Sequence, residues 1–154
     1  MIVMLMALLV AGSNASSIPQ FEDHLVADDA LIPTGELRDP DLSSHTLARR
    51  YRTTLRRETK GMPNFSGHFN LVRIGCGSSC AFLAVVDRST GRVFFPDEFG
   101  PLSWAGWQGD DYGYVFRADS RLIRACGDPR ESGRSACYYY VWAGDHAAQV
   151  GTNP

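Results

Sequence analysis

The sequence predicts an α+β domain built on a mainly antiparallel β-sheet of five to six strands in meander order, with one N-terminal amphipathic helix packed on it. Three observations predict it. Only the stretch 44–60 carries apolar residues at helical spacing, everything from Gly67 onward reads as short strands, and Asp87-Arg-Ser-Thr-Gly91 fits a tight hairpin turn. The 154 residues suit one ordinary domain, and 44% apolar with 21% charged residues is the composition of a folding chain, not of a disordered tail.

Taken in order, Ile2 to Ala11 is an unbroken apolar run followed by Gly12-Ser-Asn-Ala15, which reads as a signal peptide over 1–15, cleaved after Ala15 with Ser13 and Ala15 at the −3 and −1 places. The run is about half of the ~20 residues a bilayer-spanning helix needs, so no stable membrane insertion is expected after cleavage. No Lys or Arg precedes it, and Ser13 stands where a lipid-modified cysteine would. Residues 16–40, with Pro19, Pro33, Gly35 and Pro40 among acids, read as an irregular lead-in, and 41–154 as the single domain.

In 44–60, Leu47, Tyr51 and Leu55 form one stripe, and Arg49, Arg50, Arg52, Arg56 and Arg57 fill the remaining arc. Ser43 or Ser44 is the expected N-cap, with Gly61 as the left-handed stop before Pro63. His68 to Ile74 and Ala81 to Val86 are apolar on both faces, as central strands covered on each side would be. Arg92 to Phe95, Tyr112 to Arg117, Arg121 to Cys126 and Cys137 to Ala143 complete the set.

Cys76, Cys80, Cys126 and Cys137 form an even set, and in an exported domain of this size such cysteines close as disulfides. Of the three pairings, Cys76–Cys80 with Cys126–Cys137 is favoured, the second tying a hairpin whose loop carries Pro129 and Gly133. The four histidines are scattered, so no zinc spacing exists, and no metal or cofactor is expected. A formal charge of −2 and a pI near 6.0 remove the broad attraction of a nucleic-acid binder. Lys60 is the only lysine against fourteen arginines, the bias of a GC-rich bacterial genome.

Three places can carry chemistry. His68 with Cys76, Cys80 and Asp87 would make a nucleophilic site if thiolate, base and carboxylate converged. Gly75-Cys-Gly-Ser-Ser-Cys80 can turn successive amides toward one anion, or is simply a disulfide-pinned turn in which Gly75 and Gly77 supply special dihedrals. Phe94, Phe95, Phe99, Trp104, Trp107, Tyr112, Tyr114 and Phe116 lie in one stretch with Asp97, Glu98, Asp110 and Asp111. Rings beside acids suit sugar stacking or a protein contact, for which Trp104, Trp107, Tyr112, Asp110 and Asp111 are the binding candidates. The four acids could also gather calcium, although no EF-hand spacing is present.

The ordered runs Asn64-Phe-Ser-Gly-His-Phe69, Gly75-Cys-Gly-Ser-Ser-Cys80, Val86-Asp-Arg-Ser-Thr-Gly-Arg-Val93 and Asp119-Ser-Arg-Leu-Ile123 before Tyr138-Tyr-Tyr-Val-Trp142 resemble a group of small bacterial envelope proteins of uncharacterised activity. These carry NFAGHY-like, GCG-x-x-C and D-x-x-TG-x-V segments. The resemblance spans Tyr51 to Gly144 and implies export and a shared domain, but no activity. Ser66 and Phe69 replace their usual Ala and Tyr, so a tyrosine hydroxyl is not needed there. Ser66-Gly67 is also similar to the SG-x-x-Y segment of periplasmic lysozyme inhibitors, with Asn70 at the tyrosine position. The expected function is that of a periplasmic or secreted, non-enzymatic binding protein, an inhibitor or immunity-type partner of a cell-wall-acting enzyme, with a protein or cell-wall glycan as partner. The alternatives are a small hydrolase or thiol enzyme using His68 and a cysteine, and a purely structural envelope component.

Overall fold

A computed structural model of the chain describes residues 18–27 and 35–154. The apolar run and the cleavage position after Ala15 lie outside the described residues. The elements are α1 (Thr46–Arg50), α2 (Arg52–Glu58), β1 (Phe69–Gly77), β2 (Cys80–Asp87), β3 (Val93–Phe94), β4 (Leu102–Ser103), β5 (Gly113–Phe116), β6 (Leu122–Pro129), β7 (Ala136–Trp142) and β8 (Ala147–Asn153). Every strand pair is antiparallel, in the order β1-β2-β4-β6-β7-β8, with β3 beside β2 and β5 beside β6.

The sheet therefore has eight strands instead of five to six, and it is not a simple meander. β4 is two residues long, too short to show a period, yet it bridges β2 to β6 through Cys80↔Ser103 and Leu102↔Pro129. β8 is an edge strand exposed along most of its length, so apolar alternation does not mark it. β1 lies at the sheet's end, not at its centre as expected. Both of its faces are nevertheless buried from Phe69 to Val72.

That double burial comes from two cores, one on each face of the β1–β2 hairpin. Leu71, Leu83 and Val85 point into the first, which they share with Phe65, Phe99, Ile123, Tyr140 and Trp142 from the rest of the sheet and its loops. Val72, Ile74, Ala84 and Val86 point the other way, onto Ala48 and Leu55 of the helices. The alternation along β1 and β2 thus sends successive residues to different layers, which is why both strands read as apolar on both sides. Trp142 anchors the first core, with Phe69 and Phe94 edge-on to its ring at 5.7 and 5.6 Å.

The predicted helix is present as two segments that share Tyr51, whose backbone leaves the helical region (φ −101°, ψ 17°). Hydrogen bonding continues through it, since Tyr51 donates to the Leu47 carbonyl and accepts from Leu55. Its ring packs on Phe82 at 5.4 Å. The cap is neither Ser43 nor Ser44: His45 Nδ1 accepts from the Leu47 amide, and Ser44 Oγ is used by Val93 of β3 instead. Gly61 is not left-handed. The helix ends earlier, at Thr59, whose hydroxyl donates to the Leu55 carbonyl.

The lead-in is less irregular than its composition implies. Phe21–His24 forms a 3₁₀ turn, and Leu25 bridges to Ser120. The fully buried Ser120 hydroxyl donates to the Phe21 and His24 carbonyls and accepts from Leu122. Arg117 pairs with Asp119 and Glu22, and its hydrogen bonds to them, first that to Asp119, raise its affinity for its proton further.

Candidate functional site

The β1–β2 hairpin carries candidate residues at both of its ends. Phe69 stands opposite Asp87 at one end and Gly77 opposite Cys80 at the other. At about 3.3 Å per residue the two ends are roughly 25 Å apart. His68 and Asp87 are therefore neighbours, with 3.7 Å between Nε2 and Oδ1, while Cys76 and Cys80 are remote from both. The convergence that a cysteine–histidine nucleophile requires is absent. Cys76 is joined to Cys80 and Cys126 to Cys137, so no free thiol occurs in the chain.

At the Asp87 end the carboxylate is occupied by its own turn. Asp87 Oδ1 accepts from the amide and hydroxyl of Ser89, and Oδ2 from Thr90, closing the turn in which Gly91 adopts φ +85°. Burial opposes ionisation of this carboxyl, but the bonds from Ser89 and Thr90 with the His68 charge outweigh it and hold it below its ordinary value. Ser89 is bonded to the carboxylate and not to the imidazole, so the order nucleophile, base, acid is not formed.

Next to it lies a residue the sequence reading passed over. Arg88 is 4% exposed, and its guanidinium donates to the carbonyls of Arg38, Thr59 and Gly61 and to Asn70 Oδ1. One side chain thus ties the lead-in, the end of α2 and β1 together. Among the described residues no carboxylate bonds it. The carbonyls closing α2 supply the partial negative charge instead. Burial lowers its proton affinity from the ordinary arginine value, opposed by the charge of Asp39.

The Asn64-Phe-Ser-Gly-His-Phe69 run is likewise structural. Phe65 pairs with Phe69, and the Asn64 side chain both donates to the Leu71 carbonyl and accepts from its amide, adding one rung to the open edge of β1. The reversal between them uses positive φ at Ser66 and Gly67, 45° and 81°. Gly67 then donates to Ala118.

At the other end, the Gly75-to-Cys80 turn is disulfide-pinned. Gly77 takes φ +146° and Ser79 +58°, whereas Gly75 has ordinary backbone. Ser79 accepts a hydrogen bond from the Trp104 amide at 2.9 Å, which fastens this turn to the aromatic segment.

Within that segment the rings divide. Phe99 and Tyr114 are buried in the first core, with Phe94 and Phe116 against it, and Phe95 packs on the second. Tyr112, Asp110 and Asp111 are exposed, and Trp104 and Trp107 are half-buried. Trp104 stacks on Tyr112 with centroids 5.6 Å apart, and Tyr112 is 55% exposed. Gly109 makes room for one indole, since a Cβ there would come within 2.7 Å of Trp107 Nε1; Gly113, beside the Trp104 ring, is called for by its φ of +74°. Trp107 Nε1 has no hydrogen-bond partner and lies beside an open cleft shared with Gly106, Gln108, Gly109 and Ser135. Asp111 pairs with Arg124 at 3.1 Å, while Asp110 is exposed.

Among the described residues no group of three or more His, Cys, Asp or Glu is placed to hold a metal ion, so the acids of this segment do not converge as a calcium site. No described helix is long and apolar enough to cross a membrane. No family model, no curated protein and no solved structure matches the chain.

Proposed function

We propose that this chain is a non-enzymatic binding protein of the bacterial envelope, periplasmic or secreted, acting as an inhibitor or immunity-type partner of a cell-wall-acting enzyme. Its contact surface is the segment from Trp104 to Tyr112. The observation that carries this reading is the division of the aromatic stretch: five rings are drawn into the cores, while Trp104, Trp107 and Tyr112 stay outside them, the first two half-buried and the third exposed. Rigid rings offer large contact area at small cost in conformational entropy, and tryptophan and tyrosine dominate the energetics of protein contacts. The exposed Asp110 supplies a polar group beside them. The hydrolase reading has no comparable support, because His68 has no cysteine near it and Asp87 is committed to its turn.

The test is inhibition of muramidases, amidases and endopeptidases acting on purified cell wall, together with calorimetric titration of each enzyme. Trp104→Ala and Trp107→Ala are expected to weaken binding of the inhibited enzyme by at least about tenfold each while leaving the fold intact. Equal inhibition by wild type and both variants, or no inhibition across the three enzyme classes, would overturn the reading.

A further inference from the structure

The two disulfides differ at one cysteine each: Cys80 and Cys137 are both half-buried, but Cys126 is buried where Cys76 is exposed. Cys126 is 1% exposed and stands directly opposite Cys137 in the β6–β7 ladder. Cys76 is exposed, at the end of β1 where burial has already ceased. Its partner Cys80 is half-buried and lines an open cleft of about 280 Å³ with Pro101, Ser103, Arg130 and Glu131. Exchange at a disulfide requires an attacking thiolate to reach one sulfur while the other leaves. Cys76 is the exposed residue of the pair and offers that access, and the cleft adjoins Cys80, whose sulfur would leave.

We propose that Cys76–Cys80 is a thiol–disulfide exchange site for an external dithiol, separable from the structural bridge Cys126–Cys137. A thiolate of the dithiol attacks Cys76 Sγ and forms a mixed disulfide. The Cys76–Cys80 bond breaks, and its electron pair leaves on Cys80 Sγ, which takes a proton from solvent. The second thiolate of the dithiol then attacks its own partner sulfur in the mixed disulfide. Cys76 leaves as a thiolate and is protonated, and the external dithiol is oxidised to its disulfide. Two electrons pass to the protein.

The fold tolerates this because Gly75, Cys76, Gly77 and Ser78 bury nothing, and the core residues of β1 end at Ile74. The change is transmitted locally. Ser79 holds the Trp104 amide, and Cys80 pairs with Ser103, so freeing the turn releases the attachment of Trp104. That reduction also weakens partner binding rests on the function proposed above; the exchange chemistry does not.

The experiment is a titration of the oxidised full chain with dithiothreitol, quenched by iodoacetamide and read by peptide mass spectrometry, with far-ultraviolet circular dichroism and tryptophan emission followed in parallel. Cys76 and Cys80 are expected to be alkylated at about tenfold less dithiol than Cys126 and Cys137, with unchanged dichroism. Emission should change in step, and this change should be lost in Trp104→Phe. Simultaneous opening of the two bridges, earlier opening of Cys126–Cys137, or alkylation of Cys76 only with loss of dichroism would overturn the proposal. Selective opening that leaves affinity for an inhibited enzyme unchanged would confirm the exchange site and remove its coupling to binding.

Discussion

The two ends of the β1–β2 hairpin use similar residues for opposite purposes. At the Asp87 end, charged and amide side chains face inward and close backbone groups: Arg88 on three carbonyls and Asn70, Asn64 on Leu71, Asp87 on its own turn. At the Cys80 end Cys76 and Tyr112 are exposed, Trp104 and Trp107 lie half-buried outside the two cores, and the buried Trp107 indole N–H is left without a partner. The difference teaches where to look for function. Motif residues whose hydrogen bonds are taken up within the fold, as those of Arg88, Asn64 and Asp87 are, are holding it together, however catalytic their composition looks.

The largest effect expected from breaking this comparison is at Arg88. Arg88→Met removes the donors of three carbonyls and one amide oxygen, of which the bonds to Thr59 O and Asn70 Oδ1 are buried and those to Arg38 and Gly61 part-buried, and unsatisfied buried acceptors cost about 1–3 kcal/mol each. A loss of about 3 kcal/mol or more is expected in urea unfolding. Arg88→Lys should recover only part of it, because one ammonium cannot match a planar fork spread over several acceptors. A loss below about 1 kcal/mol for Arg88→Met would show that the latch is incidental.

Arg88 is also the clearest case of what the sequence conceals. Its acceptors lie 18 to 50 residues away along the chain, and locally it is one more polar residue in a turn. The helical stripe through Leu47, Tyr51 and Leu55, the hairpin closed by Asp87 and Gly91, and the pairing of the four cysteines were legible because each depends on spacing or on chemistry within a short window. β4 and β8 were not, since a two-residue bridge and an exposed edge leave no periodic trace. Of the candidate site, the identity of the aromatic segment could be read, but not which rings turn inward. That division depends on which side of the sheet each strand presents, and the topology decides it.

The second prediction sharpens the contrast between the bridges. Paired Cys126→Ala and Cys137→Ala substitutions are expected to cost about 3 kcal/mol by loss of the cross-link, and paired Cys76→Ala and Cys80→Ala about 2 kcal/mol or less because the closed loop is shorter. Equal losses in denaturant unfolding would place both bridges in the same structural role.

A smaller effect is expected at the open edge of β1. Asn64→Ala deletes both bonds to Leu71 and should cost about 1–2 kcal/mol. Hydrogen exchange gives the specific readout. The Leu71 amide should lose its protection in the variant while amides paired within β1–β2 keep theirs, and an unchanged Leu71 rate would mean that water replaces the side chain without penalty.

The smallest effect is one of pH, and its sign follows from the direction in which Asp87 is shifted. Because the bonds from Ser89 and Thr90 outweigh burial and hold the folded carboxyl below its unfolded value, the folded state binds this proton less readily than the unfolded chain does. Its stabilising contribution is therefore complete above the unfolded carboxylate value near pH 4, and it is lost as pH falls through the folded value. Asp87→Asn keeps a carbonyl acceptor for the turn but removes the titration. Unfolding midpoints measured from neutral pH down to about pH 3 should converge between wild type and variant at the acid end, where the wild-type carboxyl is protonated too. A gap that stays constant over that range would mean the carboxylate charge contributes nothing, leaving the turn to be closed by hydrogen-bond geometry alone.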